Sequence, residues 1–453
     1  MPAPSPEPGA LTRRTLLRAA AGGAALLATR GLPAWARPVA HPTGLRTPDR
    51  LPFPAQPQGT SSMPEIEHIV VLMMENHSFD NLLGMLPYQV PGRRSVDGFR
   101  LKHGKPVNAN PDANGNLIRA QHAGSPCQLS GEPSQSWNAS HEAFDNGRND
   151  GFVRASAPVA MRFWDKRDLP VTYSLAQEFP VGERHFCSLL GQTFPNRRYF
   201  FAGTSQGAIN DTVPITPPPN GSIFDRLDAN QIDWAVYFQD YPSIVLVTGI
   251  ETPLRAFRTR TFARFLHDVA AGRLPQFTFI DPNYRTTSEE NPQDIQVGER
   301  FVAQVVQALT QARTWKHTVL FLTYDEHGGY YDHVPPPPAI PPDSIPPALS
   351  SGDVPGAFDR YGFRVPMIVI SPWARPRYVS RVVHDHTSLT AFIERKWNLP
   401  AMTFRDANAH PMTDYFDFRA PAFLKPPQLA PPPALGPGLA KCHAAGLHPP
   451  LNN

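Results

Sequence analysis

Glu75-Asn76 and Asp325-Glu326 are two oxygen-rich pairs, each arriving directly after an apolar run. A carboxylate beside an amide oxygen, or two adjacent carboxylates, are hard donors suited to a divalent cation. Adjacent carboxylates leaving a hydrophobic segment repel one another unless a cation or an arginine lies between them. Gly328-Gly329 follow the second pair and let the chain turn tightly toward a ligand. His327 and His333 flank that turn and offer imidazoles for ligation, orientation or proton donation. In a third segment, Gln192-Thr193-Phe194-Pro195-Asn196-Arg197, a hydroxyl comes just ahead of a helix expected over 197–202. A nucleophilic oxygen and an incoming phosphate both gain from the positive end of a helix dipole. The plainer readings are helix caps for Thr193 and Asp80, and a cap or loop salt bridge for Glu75.

Something must hold these segments together. Four apolar runs, 66–74, 277–280, 318–324 and 365–370, are bounded by polar, Pro or Gly residues and read as buried strands. Between the second and third, Phe301, Val302, Val305, Val306 and Leu309 recur at helical spacing within 298–313. Strand, helix, strand at this spacing predicts a βαβ unit with a right-handed crossover. A further helix is expected over 388–397. The fold class is α/β, a central, mostly parallel sheet flanked by helices. Ligands of such sheets bind beyond the carboxyl ends of the strands. Both acidic pairs fall there.

The first 36 residues read as an address. Arg13-Arg14 precede an apolar run, Ala19 to Ala28, and Ala34-Trp35-Ala36 offers a small-x-small cleavage site, the layout of a twin-arginine signal peptide. The run is about half the roughly 20 residues a bilayer span needs, so no stable membrane anchor is expected. The protein is therefore expected to use the twin-arginine export machinery and to be periplasmic or extracellular. Residues 37–63 read as an extended Pro-rich leader, 64–418 as one catalytic domain with large loop insertions, and 419–453 as a Pro-rich C-terminal tail. The 54 prolines imply long, extended connections. A net charge of +3 with no basic stripe excludes a generic nucleic-acid binder. Cys127, Cys187 and Cys442 allow at most one disulfide, and structural or free thiols are expected.

Taken together and in this order, these segments resemble the bacterial phospholipase C and acid phosphatase phosphoesterases, related in fold to alkaline phosphatases. The matching stretches are 75–80, 141–151, 193–197 with Gly203-Thr204, and 325–329 with Asp332-His333-Val334. Gly362 to Trp373 and Asp385-His386-Thr387-Ser388 are further echoes. The likeness spans about 64 to 418. It implies that Glu75, Asn76, Asp325 and Glu326 hold one divalent metal ion, with the Thr193 oxygen as a further ligand and the nucleophile. It also implies that His141 lies near the phosphate. Many relatives carry Asp-His-Pro where this chain reads Glu290-Asn291-Pro292, so the proton for the leaving group falls to His327, His333 or His386. An all-oxygen ligand set favours calcium, magnesium or manganese over zinc.

The implied activity is hydrolysis of phosphate esters, with phospholipids as first choice and a phosphothreonine intermediate. Small soluble esters, cleaved as by an acid phosphatase or a sulfatase-like hydrolase, are the alternative. A non-catalytic surface binding protein on the same scaffold is the second. A lipid-facing rim would be aromatic, and Phe53, Trp137, Phe144, Phe152, Phe163 and Trp164 are candidates for it.

Overall fold

Along His68–Met74, Val70, Leu72 and Met74 enter one apolar layer while Ile69, Val71 and Met73 enter another. A strand buried on both faces must be apolar at both parities, which is why the run reads as continuous. The computed structural model describes residues 43–128, 131–214, 216–248 and 256–445. The twin-arginine segment lies outside the described residues.

Eight strands form the main sheet: β1 (His68–Met74), β2 (Val181–Gly182), β3 (Trp234–Phe238), β4 (Thr259–Thr261), β5 (Phe277–Asp281), β6 (Thr318–Tyr324), β7 (Met367–Ile370) and β8 (Val379–Ser380). Their order is β4-β3-β5-β1-β6-β7-β2-β8. Only β7 pairs antiparallel with its neighbours, β6 and β2. The mostly parallel sheet is thus as expected. The strands at 277 and 318 are not neighbours, however. β1 lies between them, with Val70 opposite Thr278 on one side and Leu320 on the other. The four strands not anticipated, β2, β3, β4 and β8, are two to five residues long. Such lengths leave almost no periodic signal.

The helices that bear on the site are α1 (Phe79–Leu83), α2 (Trp137–Phe144), α3 (Thr193–Ala202), α4 (Ile295–Gln311), α5 (His386–Trp397) and α6 (Pro437–Ala444). Asp294 caps α4 by accepting from the Gln296 N–H, so this helix starts ahead of its apolar stripe. Phe301, Val302, Val305, Val306 and Leu309 pack on the Val70/Leu72 face. Phe200 and Phe201 of α3 and Leu389, Phe392, Ile393 and Trp397 of α5 cover the opposite face. Each fully buried Phe or Leu contributes roughly 1.5–3 kcal/mol. Two such layers hold the strand ends in a fixed relation.

Three further features depart from or extend the expectations. Cys127 and Cys442 form a disulfide with Cα atoms 5.6 Å apart, and Cys187 is free and buried, where thiols had been expected throughout. The partners are 315 residues apart, a proximity that no spacing reports. The tail read as extended contains α6, which carries Cys442. Asn398, at the end of α5, donates its Nδ2 to the carbonyls of Phe53, Gln56 and Pro57, so the described part of the leader lies against the domain. Among the described residues, no helix is long and apolar enough to cross a membrane.

Candidate active site

Three adjacent strands end in carboxylates: β1 in Glu75, β5 in Asp281 and β6 in Asp325. Arg197, from the first turns of α3, lies among them. Its guanidinium is 3.5 Å from Glu75, 3.3 Å from Asp281 and 3.1 Å from Asp325, and all four groups are buried. The arginine named as one of two ways to relieve carboxylate repulsion is therefore present. Burial opposes its charge, but Tyr284, Asp325, Glu75 and Asp281 outweigh burial and hold it protonated. Tyr284 adds a ring 5.2 Å beneath the guanidinium carbon and donates its hydroxyl to Asp281 at 2.7 Å.

Asn76 follows at φ +65°, a left-handed conformation that asparagine tolerates better than most residues. Its N–H donates to Asp325 Oδ1 at 3.1 Å, and its Nδ2 donates to Glu290 Oε1 at 3.0 Å. Its Oδ1 accepts from the Thr193 hydroxyl at 3.3 Å. Gly328 crosses so close that a Cβ there would lie 1.9 Å from the Asn76 carbonyl oxygen. The Gly-Gly turn is thus needed for the two acidic pairs to approach. Thr193 is the first residue of α3 and Gln192 its cap, so Thr193 is not spent on capping. Asp80 is not a cap either: Ser78 caps α1, and Asp80 instead accepts from Arg364 at 3.0 Å and from the His333 N–H at 2.8 Å.

Thr193, Glu75, Arg197, Glu290 and Asp211 line one cavity of about 270 Å³. Asp211 accepts from the Phe194 N–H at 2.7 Å, which places its carboxylate beside the hydroxyl-bearing residue. Burial pushes the Asp211 carboxyl up to about 6. Burial, with Asp325 and Glu132 adding, pushes Glu290 up to about 7. Glu75 is raised well above the ordinary range by burial and Glu290, and Glu326 by burial and Asp325. Among the described residues, Glu75 Oε2 and Glu326 Oε1 are buried without a hydrogen-bond partner. Excess buried negative charge with orphaned oxygens fits a divalent cation. The three expected carboxylates do not bring their oxygens within 4.8 Å of one another, as three other groups of carboxylates and imidazoles do. A cation held here must draw on the oxygens of Asn76 and Thr193 as well.

The histidines fall elsewhere. None of His141, His327, His333 and His386 lines the Thr193 cavity. His141, in α2, bonds the Trp137 carbonyl through Nδ1 at 2.8 Å and lines a separate cavity with Asp359 and Arg360. His327 is buried against Phe363 with Nδ1 3.0 Å from Glu326 Oε2, too poorly aligned for a hydrogen bond, and burial drops its pKa to about 3. His386 donates Nε2–H to the Asp325 carbonyl at 2.6 Å. His333 sits between Asp80, at 2.6 Å, and Asp97, at 3.1 Å. Burial opposes its charge, yet Asp80 and Asp97 outweigh it and raise its pKa to about 10. Such a group does not release a proton near neutrality. Asn291 accepts from the Tyr330 hydroxyl at 2.6 Å and donates to the Gly131 carbonyl at 2.8 Å, which makes it a packing residue.

Arg197, Asp211, Asp281, Tyr284 and Glu290 are the residues that sequence reasoning passed over. Arg197 had a usable signal: with Arg198 it is one of two adjacent arginines in the Thr193 helix, close to carboxylates that need neutralising. Asp211 had none. The rim differs too: none of the six aromatics put forward lines this cavity, whereas Phe194, Tyr241, Pro242, Val245 and Leu246 do.

The profile of the Phosphoesterase family matches residues 66–400. Non-specific phospholipase C1 of Arabidopsis thaliana is 31% identical over 392 residues, covering 78% of this chain and 71% of the relative. Phospholipase C A of Mycobacterium tuberculosis is 31% identical over 435 residues, covering 83% of this chain and 82% of the relative. Among solved structures, a protein in the alkaline phosphatase superfamily from Vibrio parahaemolyticus is similar at a TM-score of 0.40 and 8% identity, over 86% of this chain and 78% of that one.

Proposed function

This chain belongs to the Phosphoesterase family and is a phosphoric ester hydrolase, and on that premise we propose that it is an exported, metal-dependent enzyme that cleaves phospholipids through Thr193. The observation that carries the reading is the Thr193 hydroxyl, 3.3 Å from Asn76 Oδ1, opening into the same cavity as Glu75, Asp211, Glu290 and Arg197. A phosphate ester does not settle among these carboxylates unaided. Each like-charge pair at about 4 Å costs on the order of 4 kcal/mol near a protein surface. A divalent cation held by Glu75, Asn76, Asp325, Glu326 and Thr193 would supply the charge that lowers the hydroxyl's pKa and offsets the phosphoryl oxygens. The oxygen donors favour calcium, magnesium or manganese.

Thr193 gives its proton to the Glu290 carboxylate, which lines the same cavity on the other side of Asn76, and its Oγ attacks phosphorus as the bond to the leaving alcohol breaks; the phosphothreonine formed is hydrolysed by water. Asp211 supplies the proton to the leaving oxygen, in place of the histidine expected from sequence. Its acid form is present below about pH 6, so kcat/KM is expected to show a limb that falls above that pH as the carboxyl ionises. Asp211→Asn should lower the rate and abolish that limb; an unchanged pH profile in the variant would remove Asp211 from the role.

An apolar rim favours lipid over small soluble esters. Tyr241, 67% exposed, stands at the cavity mouth with Pro242, Val245 and Leu246. The Cys127–Cys442 disulfide supports export to an oxidising compartment. The deciding experiment is a rate comparison on a choline-headgroup phospholipid, a chromogenic phosphodiester and a phosphomonoester, with and without chelator. Phospholipid turnover that collapses on chelation and returns with calcium, magnesium or manganese is expected. Background turnover on all three with metal added would point to a binding protein instead.

A further inference from the structure

His384, His410 and Asp414 bring three ligand atoms within 4.8 Å of one another, apart from the Thr193 cavity and its lining residues. His384 Nε2 lies 3.1 Å from Asp414 Oδ1, and His410 Nδ1 lies 3.9 Å from the same oxygen. The other nitrogen of His384, Nδ1, faces the backbone carbonyl of His410 at 3.3 Å. Both nitrogens of a buried ring thus face oxygens that only accept, while a neutral imidazole carries one N–H. If Nδ1–H goes to the carbonyl, Nε2 is left with a lone pair aimed at a carboxylate. A metal-bound histidine shows this pattern, its second nitrogen held by a carbonyl. Asp414 is braced in the same way. Its Oδ2 accepts from Ser380 Oγ at 2.5 Å and from the Tyr378 hydroxyl at 3.4 Å, which leaves Oδ1 toward the two imidazoles.

Among the described residues, the two other compact groups of this kind are accounted for without an ion. Asp80, Asp332 and His333 enclose Arg364, 3.0 Å and 2.8 Å from the two carboxylates. In His122, Asp165 and Asp168, Nδ1 of His122 accepts from the Gly124 N–H at 3.0 Å, which leaves Nε2–H for Asp168 at 2.7 Å. That neutral ring is satisfied. We propose that His384, His410 and Asp414 bind one transition-metal ion of the zinc type, through two nitrogens and one carboxylate oxygen. The His384 side chain is fully buried and that of His410 is 45% exposed, so solvent reaches the fourth position and the ion has a way in. The ion ties His384, two residues ahead of α5, to the turn at 413–415 and so braces the start of the helix that begins at His386.

A protonated His384 would satisfy the same two oxygens without any need of the His410 side chain, so His410 discriminates. The test uses full-length protein stripped with a chelator, then titrated with zinc and separately with cobalt. The wild type should take up one zinc equivalent, show the visible absorption of nitrogen-ligated cobalt and melt higher with zinc. His410→Ala should bind that equivalent more than ~100-fold more weakly, beyond the roughly 10–100-fold that losing an outer partner costs. Glu326→Gln should keep it, which separates this site from the oxygen-rich cluster. His410→Gln repeats the measurement should the alanine variant fold poorly. Equal zinc uptake, cobalt spectra and melting shifts in wild type and His410 variants would overturn the assignment.

Discussion

Replacing Thr193 with alanine is expected to lower phosphoester turnover by at least ~10⁴-fold, a loss of the size seen when an enzyme's covalent nucleophile is removed. That corresponds to about 5.5 kcal/mol of transition-state stabilisation. The stability cost should be far smaller. Among the described residues the Thr193 side chain makes one hydrogen bond, to Asn76, and such a bond contributes about 1 kcal/mol net. Activity and folding therefore separate cleanly in this variant, with kcat collapsing while the melting temperature moves by a few degrees. Thr193→Ser keeps the oxygen and loses a methyl, and should recover much of the turnover. A phosphorylated form trapped by rapid acid quench in the wild type, and absent from the alanine variant, would identify the intermediate directly. Thr193→Ala activity within tenfold of wild type would rule out the nucleophile.

Arg197→Met should be the most destabilising single change at the site, by roughly 3–5 kcal/mol, the cost of leaving a buried charge without its partner. Methionine preserves most of the volume, so the loss is electrostatic rather than a cavity effect. Glu75, Asp281 and Asp325 would each lose their closest cation. Neutralising one of them should recover part of the loss. Asp281→Asn is the informative partner because Asp281 is also held by the Ser243 N–H at 2.9 Å and the Tyr284 hydroxyl at 2.7 Å, and so keeps its place. In denaturant melts the double variant should be less destabilised than the sum of the two single variants, by about 1–3 kcal/mol for groups in direct contact. Strict additivity would mean that Arg197 acts through packing alone.

The two variants probe different layers of the same arrangement. Arg197 is buried among carboxylates that end three neighbouring strands, so it sets whether the acidic edge can exist at all. Thr193, four residues earlier on the same helix, uses the edge that Arg197 stabilises. An i, i+4 spacing on α3 puts both on one helical face, with the hydroxyl at the cavity and the guanidinium beneath it.

From sequence alone, continuous apolar runs identified β1, β5, β6 and β7, and helical spacing identified α4, because these signals are local and every residue in them reports burial directly. Strand ends also placed Glu75-Asn76 and Asp325-Glu326 at one edge of the sheet, since the carboxyl ends of parallel strands lie together wherever the strands fall in the order. The tertiary structure alone decided that β1 separates β5 from β6, that Cys127 meets Cys442, and that Asp211 and Glu290 rather than a histidine line the Thr193 cavity. Those outcomes depend on how loops between distant elements fold over the sheet edge. His327, His333 and His386 lie next to the acidic segments in the chain, yet one is buried against Phe363, one is held between two aspartates and one is bonded to a backbone carbonyl. Periodicity records which residues are buried, whereas the partner that each buried polar group finds is set by contacts hundreds of residues away.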